Sequence, residues 1–542
     1  MRTGAREPVK RLEWGVAAVA VLLILCFHFG FLLRAGALWR DEVNTLQFAT
    51  SASVRETWNS LQYDSFPLFS SLALRVWVFS GWGRTDFGLR VFGLMIGIAI
   101  LAALWLDARL KDFSIPLLSM PLFAFAPLVI QIGDSIRPYG LGIVFLLVAS
   151  GLIWKTSVKP GRLQVAGAAL SAVLSVQCLY QNAFLLLALC AGGIAVCSRK
   201  RQWKRSLLVA SIGAVSAFSL LPYYDILRKA QDWTVLVQSP TTARGIWRVF
   251  SRAMASGGDF MLWVWLGLGA LSLLAAGWCW VGRARTPLSD SRRDLVLFST
   301  TVLLSATVAF LLFLKWASLP SQPWYYLPLM AVCALSLDGI LAALTVQTPV
   351  RIFRAATAVL VLALSFPRGW QEIQVRQTNA DRIASKLEES AQAEDLIVVS
   401  PWYYGVAFQR YYRGKAPWMT VPPLEDLKIH RYDLLKEKMK STDPIGPLLT
   451  RMSETLRSGN RLWLVGGLPS QPKVQPVEPR PPAPDRRSGW NSHPYVSNWA
   501  AQADHLVQTH ACRVEAVPVS SGERVNPYES LMLQAAQGWQ RE

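Results

Sequence analysis

The chain has 542 residues, of which 52% are hydrophobic and 17% charged, with 23 tryptophans and a formal net charge of +20. That balance excludes an ordinary water-soluble domain and fits a polytopic membrane protein. The positive charge does not call for nucleic acid, because it is concentrated in short connections between apolar runs, on every second one, as the positive-inside rule requires of cytoplasmic loops.

In chain order, the first apolar run covers 14 to 33 behind a basic stretch with Arg2, Arg6, Lys10 and Arg11. Its core is about twenty residues and lacks a small-residue cleavage site, so it reads as a retained signal anchor with a cytoplasmic N-terminus. About eleven spans follow from runs long enough to cross a bilayer: 14–33, 88–108, 114–132, 139–154, 163–180, 182–197, 206–224, 260–281, 295–314, 324–345 and 352–366. Arg109 and Lys111; Lys155, Lys159 and Arg162; "SRKRQWKR" (198–205); "GRAR" (282–285) with Arg292 and Arg293; and Arg351 and Arg354 then all fall inside. The opposite loops are 35–87, "GDSIRP" (133–138), a turn at Gln181, a long loop 225–259, "KWASLPSQP" (315–323) and everything after Pro367. Within the first of these, "FPLFSSLALRVWVFSGW" is short for a span and carries Arg75 in its middle, with Pro67 at a helix-start position, so it is expected to lie on the membrane. Six of the seven cysteines fall in or beside apolar runs, with no CxxC pair and no disulfide framework.

After Pro367 the pattern turns soluble. A helix is predicted in "NADRIASKLEESAQAE", strands in "DLIVVS" and "RLWLVGG" (461–467), a helix near 497–508 and strands near 512–519 and 529–534. Alternating strands and helices imply a small α/β domain. The organisation expected is a transmembrane catalytic domain, 1–368, with its first extracytoplasmic loop at 35–87. An extracytoplasmic domain, 369–542, follows, with a Pro-rich linker at 469–487.

Asp41 and Glu42 are an acidic pair where the first span meets water, in "LWRDEVNTLQFA" (38–49). Acidic residues at a membrane boundary are commonly just solvated. Here they stand in the first outside loop of a helix-rich membrane chain, where a carboxylate can serve as general base on an acceptor hydroxyl when a lipid-borne substrate arrives from the bilayer.

Several segments in order resemble the polytopic GT-C glycosyltransferases, in particular the bacterial branch related to protein O-mannosyltransferases and lipid A aminoarabinose transferases. "LWRDEVNTLQFA" is similar to that branch's first-loop W-x-D-E motif and "YDSFPLFSSLALRVW" to its D-x-H-P-P-L segment. "GRTDFGLRVFGLMIG" resembles its entry to the second span, "SIRPYGLGIVFLL" its A-R-P-Y helix start, "QPWYYLPLMAVCAL" its Tyr-Pro-containing late span, and "EDLIVVSPWYYGVAFQRYY" a motif of its outside domain. The likeness runs over nearly the whole chain. One departure stands out: Phe66 occupies the histidine position of D-x-H-P-P-L and Leu68 its second proline, while Asp64 and Pro67 remain.

The resemblance implies a GT-C-like polytopic α-helical fold with a small α/β extracytoplasmic C-terminal domain. It also implies transfer of a sugar from a polyprenyl-phosphate donor, with inversion, to a glycolipid, polysaccharide or protein acceptor on the outside of a bacterial inner membrane, as part of the cell envelope. Such a reaction must stabilise a leaving lipid phosphate at the interface. Arg137 is the preferred cation, stranded on the face where positive charge is scarce, with Pro138 starting a helix behind it; Arg75, Arg90 and Lys315 are the others. Asp134 is either a second acid or a counter-ion to Arg137. Tyr139, Trp324, Tyr325 and Tyr326 either stack on sugar or prenyl chain or form an interfacial belt. His28 within the first span is expected to be packed. No His/Asp cluster has the spacing of structural zinc, and no metal ligand is assigned, although the outside carboxylates with a phosphate leave an Mg²⁺-type ion open. The rival reading is a transporter or flippase of lipid-linked sugar, against which stand the lack of an internal repeat and of an unpaired acid at mid-span.

Overall fold

Nine helices among the described residues are long and apolar enough to cross a membrane. They are Glu7–Arg34, Asp86–Leu110, Pro138–Val158, Asn182–Arg199, Trp203–Thr234, Phe260–Trp280, Asp290–Ala317, Pro323–Ala343 and Thr348–Ile373. Large apolar side chains such as Leu22, Leu163 and Leu274 stand exposed on helix exteriors, as a chain solvated by lipid requires. The protein is a multi-pass membrane protein. The computed structural model describes residues 6–113, 115–238, 241–280, 288–318, 320–345, 347–468, 477–519 and 522–540; the "GRAR" cluster and the linker's first part, 469–476, lie outside them.

The two other predicted spans are shorter or broken. Arg162–Val176 has 15 residues, or about 22 Å of helix against about 30 Å of hydrocarbon. The run 114–132 carries Pro116, Pro121 and Pro127 and cannot be one helix. It consists of a single π-helical turn, Met120–Ala124, followed by a helix, Pro127–Gly133. Backbone groups released by the break are met by a buried acid: Asp338 accepts from Leu118 N (3.1 Å), Ser119 N (3.0 Å) and Ser119 Oγ (2.9 Å). The loop predicted at 225–259 is also more ordered than a loop, because the last part of Trp203–Thr234, Tyr224–Thr234, and the helix Ala243–Met254 fall in it.

The chain divides into two compact units. The first comprises Met1–Arg34, Phe66–Tyr224 and Pro240–Gln374. In it Pro138–Val158 packs on Asp86–Leu110 and Arg162–Val176, Asp290–Ala317 on Asn182–Arg199 and Leu327–Ala343, and Arg6–Arg34 on Thr348–Ile373. Every residue of Leu327–Ala343 is buried, so this apolar helix is the centre of the bundle.

The second unit comprises Ala35–Ser65, Asp225–Ser239 and Val375–Glu542, so the start of the loop predicted at 35–87 packs with the C-terminal part of the chain. Its sheet contains β1 (Leu396–Val399), β2 (Trp418–Thr420), β3 (Leu462–Val465), β4 (Arg513–Ala516) and β5 (Leu533–Gln537) in the order β2-β1-β3-β5-β4. β1 runs parallel to β2 and β3, while β5 is antiparallel to β3 and β4. β1 and β3 are buried at every position, which is why both read as continuous apolar runs. Beside them Trp402, Leu448, Met452, Tyr495 and Trp499 fill the core. The last strand begins at Leu533 instead of near 529, because Glu529 and Leu531 are committed elsewhere: Leu531 exchanges two hydrogen bonds with the Asn379 side chain (2.8 and 2.9 Å).

Candidate active site

In the second unit, the acidic pair begins helix Arg40–Ala49. The two carboxylates have different surroundings. Glu42 is fully buried and its Oε2 accepts from the Trp39 N–H (3.3 Å), closing the first turn of the helix. Asp41 is partly exposed at 24%, with His430 Nε2 at 3.4 Å and Arg40 Nε at 3.7 Å from its Oδ1. Glu42 therefore shapes the turn that presents Asp41.

The chain entering this helix is fixed on both sides. Gly36 has a positive φ of 66°, and a Cβ there would meet the Arg376 guanidinium at 2.5 Å. Gln377 N donates to Ala35 O (2.8 Å) and Leu38 N to the Tyr411 hydroxyl (2.7 Å). Tyr403 and Tyr404 receive the Arg40 guanidinium over their rings at 4.6 and 5.3 Å. All three tyrosines come from the aromatic run "PWYYGVAFQRYY", whose purpose is thereby visible. Asn44, on the same helix, accepts from His430 N (2.8 Å), while Trp402 meets the imidazole edge-on at 6.0 Å.

Arg40 is the hinge of the local electrostatics. Its Nη1 lies 2.6 Å from Glu529, a carboxylate with no exposed side-chain surface. Burial pushes the Glu529 carboxyl up to about 7, Arg40 opposes this and nearby Asp41 adds to it. Burial works against the Arg40 cation, yet Glu529 and Asp41 outweigh it and hold the guanidinium more firmly protonated than usual. Burial likewise raises the Tyr404 phenol to about 12, so this tyrosine stays a neutral hydrogen-bond donor, to Tyr528 O (3.2 Å). One cation thus serves two carboxylates, with its closest contact on Glu529. Such an arrangement leaves Asp41 able to take a proton from a hydroxyl, with His430 beside it. Asp64, in the same unit, is engaged locally, where its Oδ1 accepts from Ser65 N (2.8 Å).

In the first unit, Arg137 is the N-cap residue of helix Pro138–Val158 and only 8% exposed. The preceding turn can lie tight against helix Asp86–Leu110 because Gly93 and Gly97 have no side chain: a Cβ would strike Asp134 O at 1.6 Å and Asp134 Oδ1 at 2.0 Å. The Arg137 guanidinium sits 4.7 Å over the Phe66 ring, Phe66 meets Tyr139 edge-on at 5.4 Å, and Tyr139 stacks on Tyr325 at 6.2 Å. The residue that replaces the motif histidine is therefore the platform for the preferred cation. Asp134 pairs with His28, whose Nδ1 lies 2.7 Å away, so His28 is the carboxylate's partner as well as a packed residue.

Arg137, Tyr139 and Tyr325 are thus brought together through Phe66. Arg75 lies 4.8 Å over Phe79 of its own helix, and Lys315 is exposed in the last turn of Asp290–Ala317, outside the stack. Sequence reasoning missed His430 and Glu529. Arg40 and Glu529 are 489 residues apart, and the only local signal was the tyrosine-rich run that folds between them. Among the described residues, no three His, Cys, Asp or Glu side chains converge as metal ligands.

No protein-family model matches the sequence, and no curated protein does. Solved structures do. ArnT from Cupriavidus metallidurans in the apo state is similar over 83% of this chain and 92% of that one, at 13% identity and a TM-score of 0.51. The same protein bound to undecaprenyl phosphate gives 11% identity over the same shares and a TM-score of 0.48. The Archaeoglobus fulgidus oligosaccharyltransferase in complex with Zn and sulfate gives 12% identity over 74% of this chain and 62% of that one, with a TM-score of 0.44. The fold is the GT-C type that the motifs implied.

Proposed function

We propose that the protein is an integral-membrane, inverting glycosyltransferase that moves a sugar from a polyprenyl-phosphate donor to an acceptor hydroxyl on the extracytoplasmic face of a bacterial inner membrane. The observation that carries this reading is the asymmetry of the acidic pair. Glu42 is locked inside the helix start and Asp41 is left partly exposed between a guanidinium and an imidazole, on a membrane fold of the ArnT kind.

In this reading Asp41 is the general base. The acceptor oxygen attacks the anomeric carbon from the face opposite the phosphate, its proton passes to the Asp41 carboxylate, and the C1–O bond to phosphate breaks with its electron pair leaving on polyprenyl phosphate. Glu42 is a positioning residue that acts through the helix turn, and His430 and Arg40 orient the Asp41 carboxylate. Arg137 stabilises the departing phosphate, held flat by Phe66, with Tyr139 and Tyr325 lining the donor's sugar or its first isoprene units. Arg75, Asp64 and Asp134 have supporting roles at most, given the partners described above, and so does Lys315, exposed outside the stack.

The acceptor class is open to a direct test. Envelope glycolipids and glycans from cells with and without the gene are compared by mass spectrometry. Loss of one defined sugar from one glycan class is the expected result, and an unchanged glycan profile under conditions where the protein is made overturns the reading.

A further inference from the structure

The first unit holds a charged cavity that the proposed reaction does not use. It lies at the far end of helix Pro138–Val158 from Arg137, has a volume of about 230 Å³, and is lined by Lys10, Lys111, Arg292, Arg351 and Arg354 with Glu13 and Asp112. Most of these charges are matched. Arg351 Nε donates to Glu13 (3.0 Å), Arg354 Nη2 to Asp338 (2.7 Å), Lys111 pairs with Asp107 (2.8 Å), and Asp112 answers Lys155 (3.2 Å). Lys10 has no carboxylate partner among the described residues, and Arg292 spends its Nη1 on Ala343 O (3.2 Å). Among the described residues the cavity is therefore left with two positive charges in excess.

Arg354 and a helix start add to this charge. Arg354 is 4% exposed, lines the cavity, and its Nε has no hydrogen-bond partner. The rest of its guanidinium is held by Asp338 Oδ1 (2.7 Å) and Ile115 O (3.4 Å), so it is a fixed positive charge in the cavity wall. Ser289 and Ser291 add hydroxyls at the start of helix Asp290–Ala317, where Ser289 makes no side-chain cap and the helix dipole favours negative charge.

We infer that this cavity binds a phosphate oxyanion, either the phosphodiester of an anionic lipid headgroup or free phosphate. Two surplus cations beside a fixed Arg354 guanidinium and the Ser289 and Ser291 hydroxyls match the charge and donor demand of a phosphate, and basic pockets between membrane helices are where anionic headgroups settle.

The full-length protein is reconstituted in nanodiscs of phosphatidylcholine with or without phosphatidylglycerol, and retained lipid is counted by native mass spectrometry; separately, inorganic phosphate is titrated in a thermal-unfolding assay. Lys10→Gln and Arg292→Gln keep all four carboxylate pairs intact. Each is expected to weaken binding about fivefold, the contribution of one cation near an anionic surface. Retention of phosphatidylglycerol with no response to phosphate assigns the site to lipid, and the reverse assigns it to the free ion. Should a variant fail to fold, the wild-type comparison decides alone. Wild-type protein that neither retains phosphatidylglycerol nor responds to phosphate, or a folded double variant that binds as well as wild type, overturns the inference.

Discussion

Replacing Asp41 with Asn separates chemistry from structure at the proposed base. The side chain is 24% exposed, with the His430 imidazole at 3.4 Å and the Arg40 guanidinium at 3.7 Å. Ion pairs of that length and exposure contribute at most about 1 kcal/mol each. Asn has the same shape and keeps an oxygen facing both groups, and the helix cap belongs to Glu42. Folding stability is therefore expected to fall by no more than about 1 kcal/mol. The loss in rate is larger. A positioned general base is worth about 10²- to 10⁴-fold, or about 3 to 5 kcal/mol of barrier. The assay is initial-rate sugar transfer from a polyprenyl-phosphate donor, run with thermal unfolding of the same preparation. The account expects kcat down by at least about a hundredfold with the unfolding temperature within a few degrees of wild type. Asp41→Asn protein that retains most of its kcat refutes the base assignment, and loss of fold in parallel with loss of rate refutes the division of roles between Asp41 and Glu42.

Three further outcomes follow from the same geometry. Because burial raises Glu529 from 4.5 to about 7, the folded state keeps a proton that the unfolded chain has shed, and stability falls as pH rises through that interval, by up to about 3 kcal/mol; Glu529→Gln should flatten the dependence of unfolding temperature on pH there, and an unchanged slope contradicts the burial argument. Arg137→Lys keeps the charge but cannot lie flat on Phe66, so KM for the lipid donor should rise about tenfold with kcat less affected; equal KM values would remove Arg137 from donor binding. His430→Asn leaves the backbone bond to Asn44 in place and should cut kcat about tenfold, short of the full general-base term, while shifting the acid limb of the rate profile; an unaltered profile would show the imidazole to be only a packing group.

The membrane bundle was legible because its signal is local: apolar length and basic loops require no knowledge of packing. The same logic blurred at 114–132, where hydropathy counted residues and the three prolines decided the shape. Buried strands β1 and β3 announced themselves as apolar runs, whereas β2, three residues long, had too little sequence to register. At the candidate site the division is sharper. Asp41, Glu42 and Arg137 sit beside recognisable boundaries, a span end or a helix-starting proline. His430 and Glu529 carry no local mark, since a histidine after a loop and a glutamate before a short strand become informative only when folding brings them to Arg40 and Asp41. Phe66 reads in the sequence as a lost histidine and in the structure as the surface that orients Arg137.

Covalent transfer itself is the decisive measurement. Purified protein is placed in liposomes with a polyprenyl-phosphate donor carrying a radiolabelled sugar and an envelope extract as acceptor, and label in product, free polyprenyl phosphate and donor on each side of the bilayer are followed together. The glycosyltransferase account predicts labelled product appearing in step with released polyprenyl phosphate. Intact donor crossing the bilayer with no product and no released lipid phosphate would contradict it.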